Sequence, residues 1–171
     1  IPAKYGKEIL HRDYLWGYPP QKELDVCMER AVSQGADAGI IKEMDGFTGA
    51  MAVIETGNPG PVTALRFDID CNDVGEDMDP CRLPVKNGFS SENCGCMHAC
   101  GHDMHAAVLF GVLKTFAEAP DFRGTLFGLF QPGEECNPGG ASLVLAEKPF
   151  EGYDVRAVVG EHVEPQLEVG T

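Results

Sequence analysis

Met97-His98-Ala99-Cys100-Gly101-His102-Asp103-Met104-His105, followed at once by Ala106-Ala107-Val108-Leu109-Phe110, decides how this chain is read. Three of the five histidines and one of the seven cysteines stand in that first stretch. Val108, Leu109, Val112, Leu113 and Phe116 then recur at helical spacing, which predicts a helix over residues 103–119 closed by Pro120. Asp103 is a natural N-cap for it. Cys100 then lies by the helix N-terminus, where the dipole favours a thiolate. Gly101 lets the loop turn tightly enough for Cys100 and His102 to face one ion. A thiolate beside an imidazole suits Zn, and also Mn, Co or Ni. The competing reading makes Cys100 a small buried apolar residue and His102 an ordinary loop histidine.

Working outward, residues 124–130 read as a buried strand stopped by Gln131-Pro132-Gly133, and Glu134-Glu135 follows. A short helix is expected over 141–147 and a strand over 157–163, with His162 near its end. Upstream, residues 62–69 form a largely apolar strand that runs into Asp68-Ile69-Asp70. Before it come the turn Asn58-Pro59-Gly60-Pro61, strands at 49–55 and 40–44, and a helix over 21–34 ended by Gly35. Residues 14–20 are an aromatic, Pro-rich lead-in, and residues 70–93 read as one long loop of the functional or mobile kind. Strands alternating with helices predict an α/β domain, a largely parallel mixed sheet with flanking helices. Ligands gather beyond the carboxyl ends of such strands. Asp68-Asp70, Glu134-Glu135 and His162 all fall at those ends.

That convergence gives the carboxylate pair its meaning, because a lone Glu-Glu is more often a solvated loop. If the backbone stays extended the two side chains point apart. One then binds metal while the other faces a water, the division that metal-assisted hydrolysis needs. A lone histidine at a strand end is likewise usually structural, and His162 counts through the combination. A rival reading uses Cys94, Cys96, Cys100 and His102 as a closed structural metal cluster. Its C-x-C spacing is unlike a zinc ribbon, and no second half-site is present.

The formal charge of −14 comes without a basic stripe, which argues against nucleic acid and anionic membrane surfaces. No apolar run approaches a membrane span. Seven cysteines in 171 residues point to free thiols in a reducing, cytoplasmic setting rather than a disulfide framework.

The segments Met97-His98-Ala99-Cys100-Gly101-His102-Asp103, Phe130-Gln131-Pro132-Gly133-Glu134-Glu135 and Gly160-Glu161-His162-Val163, with Arg66-Phe67-Asp68-Ile69-Asp70, resemble the M20 metallopeptidase family in its amidohydrolase branch. The likeness runs from about His11 to Thr171. Asn87-Gly88-Phe89-Ser90-Ser91-Glu92-Asn93-Cys94 narrows it toward members acting on p-aminobenzoyl-glutamate. It implies a zinc-peptidase-like catalytic domain and hydrolysis of an N-acyl or N-aroyl amino acid. Cys100, His102, Glu135 and His162 would be ligands of two divalent ions, Mn or Zn. Glu134 would be the general base, with Asp68 and Asp103 backing the site. The resemblance also implies that residues 1–171 are the first portion of the catalytic domain. A lid domain, through which members dimerise, and a last His ligand would lie outside it. Such a portion alone is expected to bind metal weakly and to hydrolyse poorly. A metal- or partner-binding domain without chemistry is the alternative. Cys71-Asn72-Asp73 departs from the branch's usual Ala-Leu-Pro.

Overall fold

A computed structural model describes residues 19–118, 121–136 and 139–170. In chain order the elements are α1 (Gln21–Ser33), α2 (Ala38–Met44), β1 (Ala50–Glu55), β2 (Val62–Asp68), α3 (Leu83–Asn87), α4 (His102–Glu118), β3 (Thr125–Gln131), α5 (Gly140–Ala146) and β4 (Val155–Gly160). The expected lead-in at residues 14–18 and the helix stop at Pro120 lie outside the described residues.

The four strands form one sheet in the order β1-β3-β2-β4. β2 runs parallel to both β3 and β4, and β1 is antiparallel to β3. The expected mixed, largely parallel α/β sheet is therefore what forms. The register aligns Asp68 with Gln131 and Arg66 with Gly160. The carboxyl ends of the three parallel strands thus open on one side, with Asp68, Glu134-Glu135 and His162 at or just beyond them.

α4 fixes the site to this sheet. Its buried residues are His102, His105, Leu109 and Leu113, one stripe at helical spacing. The leucines pack with Phe67 and Leu126, and Ala52, Ile54, Leu65, Phe122 and Phe130 close around them. Each buried leucine stabilises the docking by about 1.5–3 kcal/mol. The helix is thus held by its apolar two-thirds, and the same stripe delivers two imidazoles to the strand ends. Val108 and Phe116 stand at the rim of this face, 40% and 37% exposed. On the opposite face of the sheet Phe127 meets Phe150 and Tyr153 edge-on, at centroid distances of 5.3 and 4.8 Å.

Three expectations change. Residues 40–44 form the helix α2 instead of a strand. The Asp37 carboxylate accepts the Ile40 N–H at 2.9 Å and starts the helix despite the β-branched Ile40-Ile41 pair. The long loop holds a short helix, α3, with Pro84 in its first turn and Gly88 left-handed after it. β4 begins two residues earlier than expected and ends at Gly160, which leaves His162 just past it.

Candidate metal centre

At the end of β2 the Asp68 carboxylate is fully buried. Arg66 Nη1 donates to its Oδ2 at 2.8 Å, and His105 Nδ1 lies 2.5 Å from its Oδ1. Arg66 Nε also donates to Gln131 Oε1 at 2.8 Å, tying the ends of β2 and β3 together. Burial pushes the Asp68 carboxyl up, but the His105 hydrogen bond and the positive charge of Arg66 outweigh it and hold the carboxyl below the usual range.

His102 is the centre of the arrangement. It is fully buried in the first turn of α4. Its Nδ1 donates to the Asp70 carbonyl at 2.8 Å, which leaves Nε2 as the ring's free nitrogen. That Nε2 is buried and has no hydrogen-bond partner. A buried polar atom without a partner costs about 1–3 kcal/mol, so its persistence at this point asks for an occupant. Around it stand Asp68 Oδ1 at 3.6 Å and Glu135 Oε1 at 3.9 Å. Cys100, His102 and His162 place their donor atoms within 4.8 Å of one another, as do His102, Glu134 and Glu135. His162 repeats the pattern of His102: its Nδ1 meets the Val163 carbonyl at 2.8 Å, and its Nε2 lies 3.3 Å from Cys100 Sγ. A ring nitrogen bonded to a carbonyl with the other turned inward is the usual posture of metal-ligating histidines. Two imidazoles, a thiol and two carboxylates fit a divalent metal.

In the metal-free site the surroundings of Cys100 oppose its ionisation. The Glu135 carboxylate within hydrogen-bonding reach of the thiol, then burial, then the charges of Glu135, Glu134 and Asp68 push the Cys100 thiol up. The expected divergence of the glutamates is corrected. The backbone bends at 134–136 after Gly133, at φ +62°, and both carboxylates reach toward His102. Glu135 is pinned there by its N–H, which donates to Asp70 Oδ2 at 3.0 Å. Gly140 closes the same loop: its N–H donates to the Gly133 carbonyl, and a Cβ on it would lie 1.5 Å from the Pro132 carbonyl oxygen.

The structure therefore gathers Cys100, His102, Glu134, Glu135, His162 and Asp68. It does not gather Asp103. The helix already includes His102, so Asp103 is an exposed first-turn residue, favourable to the dipole but not the cap. Among the described residues no cluster of metal-ligating atoms contains Cys94 or Cys96. Cys96 Sγ instead lies 3.7 Å from Asp73 Oδ1, and all seven cysteines are free. Asp70, expected at the strand end, and His105, in the first turn of α4, join the site as supports, and one supporting residue, Asn72, escaped the sequence reading. Asn72 Oδ1 accepts the N–H groups of Ala99 and Cys100 at 3.2 and 3.1 Å, and its backbone pairs with Met97. The ligand loop is thus fastened by the segment where the sequence departs from the branch pattern.

A family model for peptidase family M20/M25/M40 matches residues 64–171. A p-aminobenzoyl-glutamate hydrolase chain from Escherichia coli K12 is 40% identical over 143 residues, covering 82% of this chain and 33% of that protein. An indole-3-acetyl-aspartic acid hydrolase of Enterobacter agglomerans is 39% identical, with coverages of 82% and 33%. The structure of a Bacillus subtilis protein described as a dinuclear metal binding peptidase from the M20 family superposes with a TM-score of 0.60 at 33% identity. The match covers 86% of this chain and 38% of that one. The chain spans about a third of the length of the curated relatives it matches.

Proposed function

The chain belongs to peptidase family M20/M25/M40, and from that premise we propose that the protein it represents is a metal-dependent hydrolase of amide bonds. Its substrate would be an N-acyl or N-aroyl amino acid of the p-aminobenzoyl-glutamate kind. The observation that carries the proposal is the buried, unpartnered His102 Nε2, with Cys100, His162, Glu134 and Glu135 converging on it. The two curated relatives are named for an aromatic acyl group joined to an acidic amino acid, which supports the substrate class. In this reading the activity belongs to the whole protein, and the 171 residues are the first portion of its catalytic domain. Dimerisation through a lid domain is part of the same reading. Seven free thiols support a reducing, cytoplasmic location.

Cys100, His102, Glu135 and His162 would hold two divalent ions, Mn or Zn. Such ions supply Lewis acidity to the amide carbonyl and acidify a water. Glu134, on the exposed loop, would be the base that holds the proton such a water gives up and passes it to the leaving amine nitrogen. Glu135 is assigned to the metal because its backbone is tied to Asp70 and its carboxylate lies within hydrogen-bonding reach of the Cys100 thiol and 3.9 Å from His102 Nε2. Asp68 acts at one remove, through the imidazoles and Arg66.

The test uses the full protein, freed of metal by chelator and reloaded with Mn or Zn, and follows release of the aromatic amide's amino acid. Metal should restore turnover. Glu134→Gln should keep the metal and lose about 10²–10⁴-fold in kcat. Full activity in that variant places the base elsewhere, and metal-independent turnover sinks the reading.

A further inference from the structure

His105 is a buried titratable group to which the proposed chemistry gives no task. Its donor atom lies within 4.8 Å of those of Asp68 and His102, so it could be taken for a ligand. Its hydrogen bonds exclude that. The Val163 N–H donates to His105 Nε2 at 2.9 Å, and a backbone N–H can only donate. Nε2 therefore offers the lone pair, and the ring's proton sits on Nδ1, 2.5 Å from Asp68 Oδ1. Both ring nitrogens are spent.

What these bonds join is informative. Asp68 ends β2, His105 is one turn into α4, and Val163 follows His162 beyond β4. The ring also stands between the two candidate ligand imidazoles. It is stacked on His102 at a centroid distance of 5.2 Å and edge-on to His162 at 4.7 Å. Val163 is gripped a second time by Gly101, where a Cβ would come within 2.4 Å of Val163 Cγ2. Among the described residues His162 hydrogen-bonds to its neighbour's carbonyl and to Cys100 and meets the rings of His102 and His105 edge-on, and it is exposed on its remaining side. Its placement is inherited from Val163.

We infer that His105 is a positioning residue: braced between Asp68 and the main chain of Val163, it sets His162 against Cys100 and His102 for metal binding. This rests on the proposed metal centre. It assigns the tautomer of His105 and its task. The bond to Asp68 keeps the proton on Nδ1, which in turn keeps Nε2 free to accept from Val163. Loss of either bond releases the strand exit that carries His162.

Two variants of the full protein, loaded with Co²⁺ alone, test it. His105→Phe keeps a ring but removes donor and acceptor. His105→Gln presents an amide N–H and an amide oxygen about as far apart as the ring nitrogens. Co²⁺ affinity is measured by chelator competition, and the visible spectrum reports thiolate charge transfer and coordination geometry. His105→Phe should lose about 10–100-fold in affinity and change its ligand-field bands while keeping the Cys100 charge-transfer band. His105→Gln should recover most of the affinity and the wild-type bands. A merely structural residue would lower the melting temperature of the metal-free protein without moving the spectrum. Wild-type affinity and bands in a folded His105→Phe protein overturn the inference. If that variant does not fold, His105→Asn, too short to span Asp68 and the Val163 main chain, takes its place: altered bands support the inference, wild-type affinity and bands overturn it. A wild-type protein that takes up no Co²⁺ overturns the metal reading and this inference with it.

Discussion

Asn72→Ala isolates the support of the ligand loop without touching a ligand. The side-chain oxygen accepts from two successive backbone donors, Ala99 and Cys100. The Ala99 N–H is exposed and finds water in the variant, so its loss costs little. The Cys100 bond is part-buried, and an unsatisfied buried donor costs about 1–3 kcal/mol. The Asn72–Met97 backbone pair remains and limits collapse of the loop. A net cost of about 1–2 kcal/mol follows, which for a chain of this size lowers the melting temperature by about 2–8 °C. The Cys100 main chain is also freed, so divalent metal affinity should fall by about tenfold, the lower end of the effect of losing a ligand's support. Calorimetry on metal-free and Zn-loaded protein separates the two effects: the shift should be larger in the loaded form. Asn72→Asp keeps the acceptor and should melt close to wild type when metal-free. If Asn72→Ala melts with wild type in both forms, the loop is held by something other than these bonds.

Further outcomes follow from the same geometry. Gly101 sits at φ +93° with Val163 Cγ2 in the space a side chain would fill. Gly101→Ala should therefore destabilise by about 1–3 kcal/mol through strain and overpacking; a denaturant midpoint equal to wild type would refute the close packing. The Cys100 thiol is pushed up by its carboxylate neighbours, so at neutral pH it carries its proton before metal arrives. Binding as thiolate releases that proton, and affinity should rise with pH up to the thiol's pKa and level off above it. Titration calorimetry in buffers of differing ionisation enthalpy checks this, and a pH-independent affinity between about pH 6 and about 8 would place a preformed thiolate at the site.

The parts legible in the sequence were those set by periodicity and punctuation. α4 showed in the spacing of Leu109 and Leu113, and the three parallel strands in their apolar runs and stops. The convergence of Asp68, Glu134-Glu135 and His162 followed from one rule about strand ends. What escaped depended on contacts between distant segments. Nothing local marks Asn72 as the acceptor for residues 27 and 28 positions away, or His105 as a brace to Val163. The bend at 134–136 and the raised Cys100 thiol are also tertiary effects, since each is imposed by a neighbour from another loop. α2 was misread for a nearer reason: Ile40-Ile41 looked like strand, and the Asp37 cap three residues upstream of Ile40 decided otherwise.

Cys100 and His162 face each other at 3.3 Å across 62 positions of sequence. A divalent ion held by both would bind the folded chain and not the unfolded one, and would stabilise the fold by mass action. Each tenfold rise of free metal above its dissociation constant would add about 1.4 kcal/mol to the stability of the domain. The span between Cys100 and His162 contains α4, β3, α5 and β4. Metal supply would then set the lifetime of the folded domain as well as the readiness of its site, and proteolysis in the cell would track free metal before it tracked substrate.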